Sequence, residues 1–338
     1  AGLTVKTSNL CSEITLPTGT DNEGKNRTAV CCLSSLNLEK YDQWKNDKNF
    51  IKDVMKFLDN VLTDFIEKAP EEFSDAAYSA LRERSVGLGV MGLHSYFQQK
   101  MIPIESVMSK VWNKKIFEHI QKEVDQASKD LCEERGPCPD AADYGIKERF
   151  SNKTAIAPTA SISIICGGTS PGIEPIAANS FTHKTLSGSF NVRNKYLQQI
   201  LEKYNKNDDE TWSGITTNQG SVSHLDFLTQ QEKDVFKTAF EIDQKWIVEL
   251  GAERTPYISQ AQSVNIFVPA DIHKRELHQI HFQAWKKGLK SLYYCRSKSI
   301  QRAENINSGS STDVELNVYK SKNDQSSETE YDECLSCQ

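Results

Sequence analysis

The pattern that most narrows the possible folds lies in residues 264–295. Val264-Asn265-Ile266-Phe267-Val268 is apolar and β-branched enough for a buried strand. Asp271 is a good N-cap for a following helix, whose period puts Leu277, Ile280, His281, Ala284 and Trp285 on one face and which stops at Gly288. Residues 289–295 then return as a second strand. Strand, helix and strand at this spacing make a βαβ unit, so a parallel pair with a right-handed crossover is expected.

The remainder is consistent with a mixed α/β chain. Phe50, Ile51, Val54, Met55, Phe57, Leu58, Val61, Leu62, Phe65 and Ile66 form one apolar stripe at helical period that ends before Pro70. Val107, Val111, Ile116, Ile120, Val124, Ala127 and Leu131 predict a long amphipathic helix closed by Gly136-Pro137. Thr229 and Glu232 have the form of a capping box opening a helix through about Ile242. Short strands are expected at residues 28–33, after a polar turn at 21–26, and at residues 154–158; residues 3–16 read as extended structure around a loop. Gly87, Gly89 and Gly92 lack the context of a dinucleotide fingerprint and read as close packing of helix against sheet.

Composition excludes several classes. The 338 residues carry a net charge of -6 with 25% charged side chains, which disfavours bulk nucleic-acid binding. No run approaches the roughly 18 apolar residues of a membrane span, and the first residues show no basic-then-apolar leader, so a cytoplasmic protein without membrane contact is expected. Nine scattered cysteines do not form a disulfide framework and are expected to be mostly reduced. Cys132 and Cys138 lack a second ligand pair for zinc, and His278 and His281 lack a carboxylate at metal-binding spacing.

Chemistry concentrates in Ser8-Asn9-Leu10-Cys11-Ser12-Glu13. If this segment runs extended, Asn9, Cys11 and Glu13 project to one side, setting a thiol between a carboxamide and a carboxylate. A thiol exchanges a hydrogen atom or attacks as thiolate, a carboxylate moves a proton, and an amide holds a hydroxyl in register. After Pro158, the small-residue stretch Thr159-Ala160-Ser161 at the end of a strand, with its hydroxyls and exposed backbone amides, has the makings of an anion cradle. From about Ala303 the chain becomes polar and acidic, reads as a mobile tail, and ends in Cys334-Leu335-Ser336-Cys337. A flexible arm with a terminal dithiol suits electron delivery from an external reductant to a buried site.

Five ordered blocks carry a family resemblance. They are Asn9-Leu10-Cys11-Ser12-Glu13-Ile14 with Ala29-Val30-Cys31-Cys32-Leu33, Arg84-Ser85-Val86-Gly87-Leu88-Gly89-Val90, Ala157-Pro158-Thr159-Ala160-Ser161 with Gly172-Ile173-Glu174-Pro175, Tyr293-Tyr294, and the terminal Cys-x-x-Cys. Together the blocks resemble the carboxyl-terminal half of the large, catalytic subunit of class I ribonucleotide reductase. The resemblance begins in the middle of that subunit. With the motif inside the first dozen residues and Ala1 in place of methionine, the chain is expected to be either a cut piece or the carboxyl-terminal part of a split subunit.

The resemblance implies the second half of a ten-stranded α/β barrel with its active-site finger loop over residues 1–302, and a redox-active tail over 303–338. It implies reduction of ribonucleoside diphosphates by thiyl-radical chemistry, with Cys11 as the radical, Glu13 as general base, Asn9 orienting substrate and Cys31 as one reducing thiol. The partner thiol lies in the half this chain does not contain. Cys32, at a position that is not usually cysteine, reads as packing. Residues Pro158, Thr159, Ala160 and Ser161 would hold the substrate's phosphates, and Tyr293 and Tyr294 would relay the radical. Cys334 and Cys337 would re-reduce the disulfide and be regenerated by thioredoxin or glutaredoxin.

The chain itself is expected to bind no metal or cofactor. The radical would come from a metal-containing small subunit, and an N-terminal large-subunit chain would dock against the open half-barrel. The competing expectation is a non-catalytic interaction protein or thiol carrier that binds the small subunit or thioredoxin. The intact Asn9, Cys11, Glu13 and Cys31 set speaks against it. A glycyl-radical relative is disfavoured because those enzymes carry a radical glycine where this chain carries its dithiol.

Overall fold

The computed structural model describes residues 2–185 and 188–297, with nothing stated for the side chains of residues 182–190. Its sheet is a row of parallel passes. Strand Cys32–Asn37 pairs in parallel with Val86–Met91, Leu88 bridges Thr154, Ile156 bridges Gln262, and Ile266–Val268 pairs in parallel with Cys295–Ser297. Backbone bonds continue this order, from Ala155 N to Leu88 O, Ile156 N to Ala261 O and Tyr293 N to Val264 O. The passes therefore lie side by side as half of an α/β barrel, the expected architecture.

The βαβ expectation holds in its pairing, with the helix running Lys274–Lys286. Its N-cap is His273 rather than Asp271, because Ile272 N bonds back to Pro269 O and carries the chain further before the helix starts. Of the expected apolar face, Ile280 and Ala284 are buried while Trp285 is 73% exposed. The apolar stripes at 50–66 and 107–131 become helices Phe50–Lys68 and Val107–Arg135, the latter ending at Gly136. Both pack on Leu36, Leu88 and Val90 of the first two strands to make the main core.

Three boundaries differ from expectation. The strand expected at residues 28–33 runs Cys32–Asn37 instead, since Asn26–Arg27 is taken up by an antiparallel hairpin with Gly19–Thr20. The capping box at Thr229 and Glu232 is present, but its helix stops at Val235 and a new one, Gln244–Arg254, starts behind an Asp243 cap. Between them Ala239 N is drawn to Ile176 O, a tertiary bond that local propensity does not carry. Residues 154–158 contribute only isolated bridges.

Glycines set the spacing of the first passes. A Cβ on Gly89 would sit 2.4 Å from Ala155 O, and one on Gly87 would meet Leu33 Cδ2 at 2.5 Å and Cys31 Sγ at 3.1 Å. The close packing read from the sequence is thus a strand against its neighbouring pass and against the Cys31 thiol.

Candidate active site

The finger loop is a turn and not an extended strand. Ser12 N bonds to Asn9 O and Asn9 N to Ile14 O, with Ser12 in the left-handed region at φ 65°. The even alternation expected for residues 9, 11 and 13 therefore fails: Cys11, Ser12 and Glu13 are all buried and Asn9 is exposed. Asn9 Oδ1 accepts from Ile14 N at 3.0 Å, so its carboxamide caps the loop from inside.

The loop rests on the far end of the chain. Glu13 O accepts from Ala261 N at 2.9 Å, Thr15 N donates to Gln260 Oε1 at 3.1 Å, and Ser291 Oγ donates to Ser12 O at 2.8 Å. Ser263 Oγ lies 2.5 Å from Cys11 O and 3.1 Å from Glu13 Oε2, bridging the thiol residue and the carboxylate. A serine hydroxyl has one proton, so it donates to one of these oxygens at a time.

Cys11 is wholly buried, and its thiol donates to Tyr293 Oη across 3.4 Å. Tyr293 and Tyr294 lie ring against ring, with centroids 3.9 Å apart and planes 32° from parallel. Neighbours on a pleated strand would point to opposite faces. Tyr293 N bonds Val264 O and Tyr294 O accepts from Ile266 N, yet the two rings lie together, so the pair departs from that alternation. Burial, then the contacts with Cys11 and Tyr294, push the Tyr293 phenol well above its ordinary pKa, so it stays protonated. Tyr294 is positioned by Asn265, whose Oδ1 accepts from Tyr294 N at 3.0 Å and whose Nδ2 bonds Glu174. Burial raises the Glu174 carboxyl above its usual range.

Cys31 sits at the side of the loop, facing a cleft of about 410 Å³ whose walls include Asn9, Ile14, Thr28 and Ala29. Gln260 Nε2 donates to its sulfur at 3.1 Å, while burial pushes the thiol pKa up to about 12. Cys32 is partly exposed and packs against the main core, as read. Among the described residues no group of three or more His, Cys, Asp and Glu is arranged to hold a metal ion, and no helix is long and apolar enough to cross a membrane.

Residues 158–161 follow directly on the Ile156 bridge, at the end of that parallel pass. Thr159 takes φ 54°, and its Oγ1 accepts from Gly172 N at 2.7 Å, tying this block to the Gly172-Ile173-Glu174 segment. Ala160 is exposed, Ser161 half-buried, and the helix that follows, Ile162–Ile165, is a single turn. Cys334 and Cys337 lie outside the described residues, as does the expected boundary at 302. Sequence reasoning missed Gln260, Ser263, Ser291 and Asn265. Three of them fall in Gln260-Ala261-Gln262-Ser263-Val264-Asn265, a polar run leading into an apolar strand, which was the available signal.

A parallel half-barrel thus carries, on a loop held against it, a buried thiol in contact with a stacked tyrosine pair. The chain belongs to the ribonucleotide reductase barrel-domain family, whose model, "Ribonucleotide reductase, barrel domain", matches residues 2–144 and 140–295. It is 52% identical over 302 residues to the ribonucleoside-diphosphate reductase large subunit of Invertebrate iridescent virus 6, covering 88% of this chain and 31% of that protein. To the large subunit of Invertebrate iridescent virus 3 it is 46% identical over 314 residues, covering 92% of this chain and 49% of that one. The solved structure of the Actinobacillus ureae class Id ribonucleotide reductase alpha subunit superposes with a TM-score of 0.80 at 38% identity, covering 88% of this chain and 54% of that chain. The chain thus spans about a third to a half of the length of these relatives.

Proposed function

We propose that this chain supplies the thiyl-radical site of a ribonucleoside-diphosphate reductase and works only when assembled with an N-terminal large-subunit part and a radical-generating, metal-bearing small subunit. The observation that carries this reading is the Cys11 thiol at 3.4 Å from Tyr293 Oη, with Tyr294 stacked behind it. A phenoxyl radical arriving at Tyr293 takes the hydrogen atom from Cys11, restoring the phenol and leaving a thiyl radical. Because the Tyr293 phenol holds its proton tightly, electron and proton move there together.

The thiyl radical removes the 3′ hydrogen of the substrate ribose, Glu13 takes the 3′-hydroxyl proton and later returns it to that oxygen, and the 2′-hydroxyl leaves as water with a proton from one thiol of the redox pair. Cys31 and a thiol of the N-terminal part provide two electrons and close to a disulfide. Cys11 then returns its hydrogen to the 3′ carbon and the radical travels back. The Cys31 pKa of about 12 keeps that group a protonated thiol before the reaction, able to supply hydrogen with its electrons. Asn9, on the wall of the Cys31 cleft, orients the ribose, and residues 158–161 hold the diphosphate. The tail, residues 303–338, re-reduces the disulfide through Cys334 and Cys337, with thioredoxin or glutaredoxin as the external donor. The reading places the assembly in the cytoplasm, where thiols persist reduced.

The test is to purify the chain from its source with whatever chains accompany it and assay ribonucleoside diphosphate reduction. An N-terminal large-subunit chain and a small subunit should co-purify with activity, and Cys11→Ser should lower turnover by more than about a thousandfold. Turnover retained by the Cys11→Ser assembly overturns the reading.

A further inference from the structure

We propose that Gln260 is the positioning residue for the Cys31 thiol, donating a hydrogen bond to its sulfur and stabilising the thiolate that forms there when a Cys31 disulfide is opened. The proposal deepens the reading above, in which Cys31 is one half of the redox pair. Gln260 is wholly buried, and both ends of its amide are committed. Oε1 accepts from Thr15 N at 3.1 Å, and Nε2 reaches Cys31 Sγ at 3.1 Å and Val86 O at 3.3 Å. An amide flipped end for end would set its NH₂ against the Thr15 N–H, so the network fixes the nitrogen toward sulfur.

The backbone beneath this side chain is equally fixed. Gln260 N donates to Thr154 O at 3.0 Å, and Lys290 Nζ bonds the carbonyls of Ile258, Ser259 and Gln260 at 3.1, 2.8 and 2.5 Å. Gln260 therefore neither swings away from the sulfur nor changes its distance from the finger loop, and one side chain sets both.

The surroundings show why a donor matters at this sulfur. Burial is the largest influence raising the Cys31 pKa, and Cys32 beside it, Glu13 from the finger loop and Glu83 from the end of helix Ser74–Glu83 add to the rise. The Gln260 amide works against all of them. In re-reduction, an incoming dithiol attacks the partner sulfur of a Cys31 disulfide. The S–S bond breaks, its electron pair leaves on Cys31 and takes up a proton, and the second sulfur of the dithiol then displaces the partner thiolate. A thiolate stabilised by an N–H already in place is the better leaving group.

The test uses the intact assembly, reduced and pulsed with iodoacetamide between pH 8 and 10. Trypsin releases residues 28–40 as one peptide carrying both Cys31 and Cys32, so the neighbouring thiol is an internal reference. Gln260→Met removes the donor at nearly equal volume, and Gln260→Glu keeps the acceptor for Thr15 while replacing the donor with a carboxylate oxygen. Both should slow alkylation of Cys31 relative to Cys32 by about tenfold, with the Cys31 profile displaced to higher pH and the glutamate variant affected more. A ratio that is unchanged, or that rises because the cleft has loosened, overturns the assignment. Since the assay reads a thiol and not turnover, an inactive assembly leaves this inference standing, and an unchanged ratio sinks it even in an active one.

Discussion

Replacing Asp59 with asparagine should cost the fold about 3–4 kcal/mol, and the figure follows from what surrounds one carboxylate. Asp59 is fully buried on helix Phe50–Lys68. Its Oδ1 accepts from Arg84 Nε at 2.7 Å and Arg149 Nε at 2.9 Å, and its Oδ2 from Arg135 Nη1 at 2.7 Å and Arg149 Nη2 at 3.1 Å. Asparagine keeps the shape, removes the only anion that this arginine cluster shares among the described residues, and turns an NH₂ toward guanidinium donors. Breaking a buried pair by removing one partner costs roughly 3–5 kcal/mol. Arg84 and Arg149 count nearly in full, whereas Arg135, 24% exposed, is partly relieved by water, which places the estimate in the lower part of the range.

The pH dependence has a definite sign. The arginines hold the Asp59 pKa below its ordinary value, against burial, which raises it. The stabilisation is therefore complete above the unfolded aspartate value of about 3.9 and is lost as pH falls through the depressed native value. Urea unfolding of the two proteins at pH 7 should give a change in midpoint at constant slope, and the gap should narrow below about pH 4. A difference under about 1 kcal/mol at pH 7, or one indifferent to pH, would refute the claim that this cluster depends on the Asp59 charge.

Two further outcomes follow from single contacts. Tyr293→Phe keeps the ring that stacks on Tyr294 but removes the hydroxyl beside Cys11; in the proposed assembly ribonucleoside diphosphate reduction should be lost while substrate affinity holds, and a preserved kcat would remove Tyr293 from the proposed relay. Gly89→Ala places a Cβ 2.4 Å from a backbone oxygen of the adjoining pass, so unfolding should become easier by about 1–3 kcal/mol, and an unchanged Tm would show that residues 154–156 yield without cost.

How far the sequence was legible depended on the range of the interactions. The helices Phe50–Lys68 and Val107–Arg135 were readable because their apolar stripes recur within each turn, and the Thr229 capping box because its bonds close over a few residues. Boundaries failed where a distant partner intervened, as Ile176 does beyond Val235. At the site, Cys11, Glu13, Cys31 and the tyrosine pair were legible as types in order, but the finger loop was read as extended because alternation is the default for short apolar segments. Gln260, Ser263 and Ser291 were not legible, since each acts on a residue more than 200 positions away in sequence.

That separation bears on how the site is held. The finger loop has little structure of its own: two backbone bonds and the Asn9 cap close it, and Ser12 sits at φ 65°, where a residue with a Cβ is strained. Left alone, such a turn would sample many shapes. It keeps one because Gln260, Ala261, Ser263, Ser291 and Tyr293 each take hold of a residue between Cys11 and Thr15. The same stretch carries the tyrosine pair and the amide on Cys31. The residues proposed for radical entry, proton acceptance and thiol reduction are thereby all referenced to one strip of the fold, residues 260–265 with 290–294. A change that shifts this strip should move Cys11, Glu13 and Cys31 together, and one confined to the loop tip, such as at the exposed Leu10, should leave their spacing intact.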